Sequence, residues 1–210
     1  MSDTWEAIAQ DKRERILDAA LSAFAANGYR KTSAADVAKA ANISKAMVFT
    51  YFGSKPQMYE FLCGYAMELV WTEFRANAHK LLTDDFFERI RLSVEIKTAL
   101  MKRHGAILAF LTSMYFEQDG EVRPAIDKHL ANSFSLRSEH MLTGIDASRF
   151  RREIDSKLVT KMLTWLSSGL ADEWRGGSAE TLDELTAAFD RILEMLKNSF
   201  YKEEFTGGDI

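Results

Sequence analysis

Residues 33–55 read SAADVAKAANISKAMVFTYFGSK, and this stretch constrains the fold more than any other. Ser33 can cap a helix, and Asp36 three residues later completes a capping-box pair. The helix so started is short, about eight residues, with Val37, Ala38 and Ala41 on its apolar side. The turn ANIS follows. Asn42 is among the few residues other than glycine that tolerate a left-handed backbone. Ser44 then caps a second short helix, from Lys45 to about Tyr51, and Ile43 before it points inward. A longer helix precedes the pair, roughly Asp11 to Ala26, with Ile16, Leu17, Ala20, Leu21 and Phe24 as its stripe. Asn27-Gly28 ends it, and Tyr29 can fold back on the stripe. Two short helices joined by a tight turn behind a longer one are a helix-turn-helix.

The second short helix places three rings between Phe49 and Phe52. At 100° per residue, Val48 and Phe52 share one side and plug a small core. Lys45, Ala46, Phe49 and Thr50 face the other way, with Tyr51 at the edge. An exposed ring beside Lys45 and Lys55 suits a sugar-phosphate wall or a thymine methyl.

The remainder is predicted to be helical as well. Only Pro56 and Pro124 interrupt 210 residues, and apolar spacing of 3.6 dominates, so the fold class is all-α with about nine helices. Ser54 and Gln57 form another capping pair, with Pro56 in the first turn of a helix of around 20 residues. Further helices are expected over 84–103, 104–117, 124–142, 156–175 and 179–201. Gly176-Gly177 is the last stop and Ser178 the last cap. The tail FTGGDI is expected to fray.

Charge is unevenly shared. Residues 1–56 hold eight basic and six acidic side chains, +2, and the rest hold 19 and 25, −6, which hints at two jobs. The single cysteine, Cys63, sits in an apolar run and reads as core, consistent with a reducing, cytoplasmic setting. MSDTWEAIAQDKRER lacks the apolar segment of a signal peptide, and no apolar stretch approaches the roughly 18 residues of a membrane span. His79, His104, His129 and His140 are scattered without an i, i+4 pair, so neither metal nor cofactor is expected. No G-x-S-x-G, Walker loop or G-x-G-x-x-G occurs, and an enzyme would need an unmarked constellation.

From Ile16 to Leu62 the sequence ILDAALSAFAANGYRKTSAADVAKAANISKAMVFTYFGSKPQMYEFL resembles the tetracycline-repressor (TetR) family of transcription regulators. The resemblance implies a DNA-binding head over 1–56 and a helical ligand-binding and dimerisation domain over 57–210. It implies that Lys45, Ala46 and Thr50 approach base edges, and that Ser33, Tyr51 and Lys55 hold phosphates, with Ser44 on the same surface. The sequence departs from the family at Asn42, which stands for a turn glycine. Ala46-Met47 stand for Gly-Thr and Phe49 for tyrosine. Met47 and Phe49 thereby lose hydroxyls and are left with apolar contact.

Two further sets carry expectations. Leu182, Leu185, Phe189, Ile192 and Leu196 recur at helical spacing, as do Leu158, Met162 and Trp165. They read as a four-helix dimer seam or as packing within one chain. Trp71, Phe74, Phe110, Met114, Phe134, Met141 and Trp165 read as core or as the wall of an apolar effector pocket. The implied function is a homodimeric, ligand-released repressor of a near-palindromic double-stranded DNA operator. A regulator with a protein trigger or none, a helical carrier with a vestigial head, and an unmarked enzyme remain as rivals.

Overall fold

The computed structural model describes residues 3–173 and 179–206, with side chains at 4–131, 142–170, 172–173 and 181–206. The cap expected at Ser178 and the tail beyond Thr206 lie outside the described residues, as do the side chains of Phe134 and Met141. The chain is all-α, with ten α-helices among the described residues. They are α1 (Asp3–Glu6), α2 (Gln10–Lys31), α3 (Ala34–Ala41), α4 (Lys45–Phe52), α5 (Lys55–Ala76), α6 (Phe86–Arg103), α7 (Gly105–Phe116), α8 (Arg123–Leu142), α9 (Ser156–Glu173) and α10 (Ala179–Phe200). No described helix is long and apolar enough to cross a membrane.

Packing divides the helices into two units: residues up to Trp71 with Arg103–Ser133, and Thr72–Lys102 with residues from Phe134 onward. The packing boundary therefore does not fall at 56/57. α5 runs past that point, and α7 closes the same core as the head helices. The reason lies in α7 itself. GAILAFLTSMYF is apolar nearly all round, so it needs cover on every side. It lies along α2, with Ile107, Phe110 and Met114 buried among Ile16, Leu21, Phe24, Tyr59 and Leu62.

In the first unit the expected breaks hold. Gly28 (φ 70°, ψ 176°) interrupts α2 with a backbone that favours glycine. Tyr29 turns back to stack on Phe24, ring centroids 6.2 Å apart. Ser33 and Asp36 exchange both capping bonds, and Asn42 (φ 53°, ψ 51°) ends α3 in the left-handed region. Ser54 and Gln57 exchange theirs at the start of α5. One element is new. α1 carries Trp5, whose ring meets Tyr51 at 5.6 Å, Phe52 at 5.0 Å and Phe61 at 5.9 Å.

The second unit has an aromatic core of Phe86, Phe87, Phe150 and Tyr201, closed by Val159, Leu163, Phe189 and Leu193. Asp85, 8% exposed, ties it together. Its carboxylate accepts from Lys197 Nζ (3.0 Å), the Arg149 guanidinium (3.3 Å), the Tyr201 hydroxyl (3.2 Å) and the Glu88 N–H (3.1 Å). Burial opposes the charge, but the Glu88 N–H, Lys197 and Tyr201 outweigh it and hold the carboxyl below the usual range. Arg149 keeps Asp84 at 2.6 Å as a second partner.

Candidate nucleic-acid interface

α4 has two faces because its eight residues sort by side. Val48, Tyr51 and Phe52 are buried against the rest of the head. Lys45, Ala46, Phe49 and Thr50 are exposed and Met47 is half-buried. Phe49 is 43% exposed, with Lys45 Nζ 5.8 Å from its ring centroid. The Thr50 hydroxyl donates to the Ala46 carbonyl at 3.0 Å. Ser44 accepts the Met47 N–H at 3.2 Å, which fixes the start of the helix.

Three expected anchors are engaged within the head itself: Ser33 in the cap its sequence implies, Tyr51 and Lys55 in ways the sequence did not reveal. Tyr51, expected at the edge, is only 5% exposed, because the Trp5 ring of α1 packs against it. The Ser33 hydroxyl donates to Asp36 at 2.6 Å while its oxygen takes the Asp36 N–H. The Ser33 hydroxyl and the Ser33 backbone N–H, at 2.8 Å, both donate to the exposed Asp36 carboxyl and hold it below its ordinary range. Lys55 is half-buried. It donates to the Arg30 carbonyl at 3.3 Å and sits 4.3 Å from the Tyr29 ring centroid. Its positive charge therefore lies on the turn between α2 and α3, close to the exposed Arg30.

An acidic loop between α7 and α8 grips the same turn, a contact outside the expectations drawn from sequence. The Tyr29 N–H donates to Glu117 at 2.8 Å and its hydroxyl donates to Glu121 at 2.7 Å. Burial and Glu121 both push the Tyr29 hydroxyl's pKa upward. Arg30 lies 3.5 Å from Asp119, an ion pair that solvent weakens because the Arg30 side chain is almost fully exposed. Contacts 88 and 92 residues apart leave no periodic trace in a sequence. The local signal is the concentration of acid in EQDGE beside a helix end.

The other expected sets scatter. Phe110 and Met114 are sealed in the first unit's core. Trp71 and Phe74 are half-buried, and Trp165 is 60% exposed beneath Lys161. Of the seam residues, Phe189 is 3% exposed and belongs to the chain's own core with Val159 and Leu163. Met162 and Leu196 pack partly against that core. Leu182, Leu185 and Ile192 are half-buried, and Leu158 is exposed. The seam thus has an inner line and an outer line, which spacing alone merged. Among the described residues no three His, Cys, Asp or Glu side chains converge as metal ligands. The Cys63 thiol is buried and pushed up to about 12, which makes it unreactive.

Comparison with known proteins bears on this geometry. Residues 16–61, the span of α2 through the start of α5, match the profile of bacterial regulatory proteins, tetR family. The fatty acid metabolism regulator protein of Bacillus subtilis is 20% identical over 198 residues, 91% of this chain and 97% of that protein. The Staphylococcus aureus negative transcriptional regulator of the icaADBC biofilm operon is 40% identical over 48 residues, 23% of this chain and 26% of that protein. The structure of the FadR regulator of Bacillus subtilis in complex with stearoyl-CoA superposes with a TM-score of 0.67 at 19% identity, covering 87% of this chain and 96% of that one. At that identity the superposition speaks for the fold. The matched head and the capped helix-turn-helix agree that residues 16–61 form a DNA-binding head of the tetR-family kind, and the described all-helical fold is that of TetR-family transcriptional regulators.

Proposed function

We propose that the chain is a cytoplasmic, homodimeric repressor, with DNA binding in residues 1–56 and effector binding and dimerisation in 57–210. The observation that carries this reading is the two-faced α4, whose outer face offers Lys45, Ala46, Phe49 and Thr50 while its inner face holds the head. Two heads held about one DNA turn, roughly 34 Å, apart would read a near-palindromic operator. Lys55, Ser33 and Ser44 would position the head on the backbone, with Met47 adding apolar contact. The buried Tyr51 would support the recognition helix more than it touches phosphate.

The dimer reading is supported by the outer line of α9 and α10. Leu158 and Trp165 on α9 and Met195 on α10 are exposed large apolar side chains, and Leu182, Leu185 and Ile192 on α10 are half-buried. Exposed apolar clusters of this kind mark interaction sites. Repression is supported by the name of the Staphylococcus aureus relative, a negative regulator that shares the head. An amphipathic effector is supported by the Bacillus subtilis relative's fatty-acid role and by the stearoyl-CoA in the similar structure. Release then follows by population shift, provided the effector prefers a state whose heads are wrongly spaced. Phe110 and Met114 would meet an effector only in a state that opens their core.

The test is selection of duplexes from a random pool by the full chain, followed by titration of the enriched site. A two-fold site bound by a dimer, and released by stearoyl-CoA or a free fatty acid, is the expected result. Enrichment of no sequence would overturn the DNA-binding reading. Binding indifferent to both lipids would overturn the effector class alone.

A further inference from the structure

The outer face of α4 has an unusual chemistry for a surface that reads DNA. Its sequence KAMVFTYF contains no Arg, Asn, Gln, Asp or Glu. Adenine is read best by the paired donor and acceptor of Asn or Gln, and cytosine by a carboxylate acceptor. α4 has neither. The Thr50 hydroxyl hydrogen is directed to the Ala46 carbonyl at 3.0 Å, and the Ser44 oxygen takes the Met47 N–H. Lys45 is the one charged side chain in the helix. What α4 does present is apolar: the Ala46 methyl and the exposed Phe49 ring, next to each other across one helical turn.

The only apolar group on the floor of the major groove is the thymine 5-methyl, and Ala and Phe are among the side chains that meet it. Lysine complements the O6 and N7 acceptors of guanine. We infer that α4 reads its half-site chiefly through thymine methyl groups, with Phe49 and Ala46 as the specificity-determining residues and Lys45 directed at a guanine. This inference rests on the DNA-binding reading above. Lys45 Nζ lies 5.8 Å from the Phe49 centroid, so donor and ring belong to one continuous patch of the outer face.

The experiment uses the site enriched from a random pool by the full chain, so no operator need be known beforehand. Each thymine of one half-site is replaced in turn by uracil. That change deletes the methyl and keeps every hydrogen-bonding group. Losing one buried methyl should weaken binding about fourfold. Phe49→Ala or Ala46→Gly should bind thymine and uracil duplexes alike at the affected position. Phe49→Leu, which keeps an apolar end and folds as readily, should retain part of the preference. Circular dichroism checks that each variant is folded. If no uracil substitution weakens binding, the ring packs on sugar-phosphate and the inference is wrong. If the thymine preference persists in both Phe49→Ala and Ala46→Gly, other residues read the methyls and the assignment is wrong. If no site is enriched at all, the DNA-binding reading has failed and takes this inference with it. A selective site indifferent to uracil overturns the inference alone.

Discussion

Replacing Asp85 with asparagine tests the network that holds the C-terminal end of α10. Asn keeps the shape and one acceptor oxygen, so the Glu88 N–H and the Tyr201 hydroxyl can still be met. The charge is what disappears. Lys197 Nζ, 3.0 Å away, loses the carboxylate it pairs with, whereas Arg149 retains Asp84 at 2.6 Å and Asp146 at 3.5 Å. A hydrogen bond to a charged group contributes about 1.5–3 kcal/mol, and breaking a fully buried pair costs roughly 3–5 kcal/mol. Lys197 and Arg149 keep 24% and 21% side-chain exposure, so water recovers part of that cost. The expected destabilisation is therefore about 2–4 kcal/mol. Urea unfolding at pH 7, followed by circular dichroism, measures it. In a Lys197→Met background the same substitution should cost much less, because the orphaned cation is gone. The pH dependence follows from the lowered carboxyl. A carboxyl depressed in the folded state adds stability that is complete above its unfolded value, about 3.9, and is lost as pH falls through the folded one. The gap between wild type and Asp85→Asn should thus be constant near neutrality and close below about pH 4. A cost under about 0.5 kcal/mol at pH 7, or one unchanged by Lys197→Met, would refute the argument.

Phe52→Ala should destabilise the first unit by about 3–5 kcal/mol, since it empties a core site shared with Trp5 and Phe61; native-like thermal unfolding with selective loss of DNA binding would place Phe52 outside the core. Trp165→Glu combined with Leu158→Glu should leave the chain folded but monomeric by light scattering, whereas Phe189→Glu should unfold the second unit, because only Phe189 lies in the chain's own core. A folded Phe189→Glu chain would contradict that division. Tyr29→Phe should lose about 1.5–3 kcal/mol through the Glu121 bond, read by urea unfolding, with Glu121→Ala losing a similar amount and the double variant little more.

Local chemistry was legible in the sequence. The caps at Ser33, Ser44 and Ser54, the left-handed Asn42 and the break at Gly28 depend on neighbours within a few residues, and each is where the pattern put it. The inner and outer faces of α4 followed from 3.6 periodicity for Val48, Phe52, Lys45, Ala46, Phe49 and Thr50. Tyr51 escaped because its cover, Trp5, comes from a four-residue helix too short to show a period. α7 joined the head's core although its sequence distance suggested the other domain. A helix apolar on all sides states that it is buried but not against what. For the same reason Phe189 and Trp165, both on seam-like spacing, separate only when the partner helix is in place.

The division of α4 also bears on how such a regulator changes over evolutionary time. Val48, Tyr51 and Phe52 hold the helix in its seat, and none of them faces outward. Lys45, Ala46 and Phe49 face outward and hold nothing in the core. Exposed substitutions usually shift stability by no more than about 0.5 kcal/mol. If α4 reads DNA as proposed, a duplicated copy could exchange these outer residues one at a time and acquire new promoters without passing through an unfolded intermediate. The inner residues would be purged of variation at the same time. Drift in target choice and constancy of the scaffold would then coexist within a single eight-residue helix.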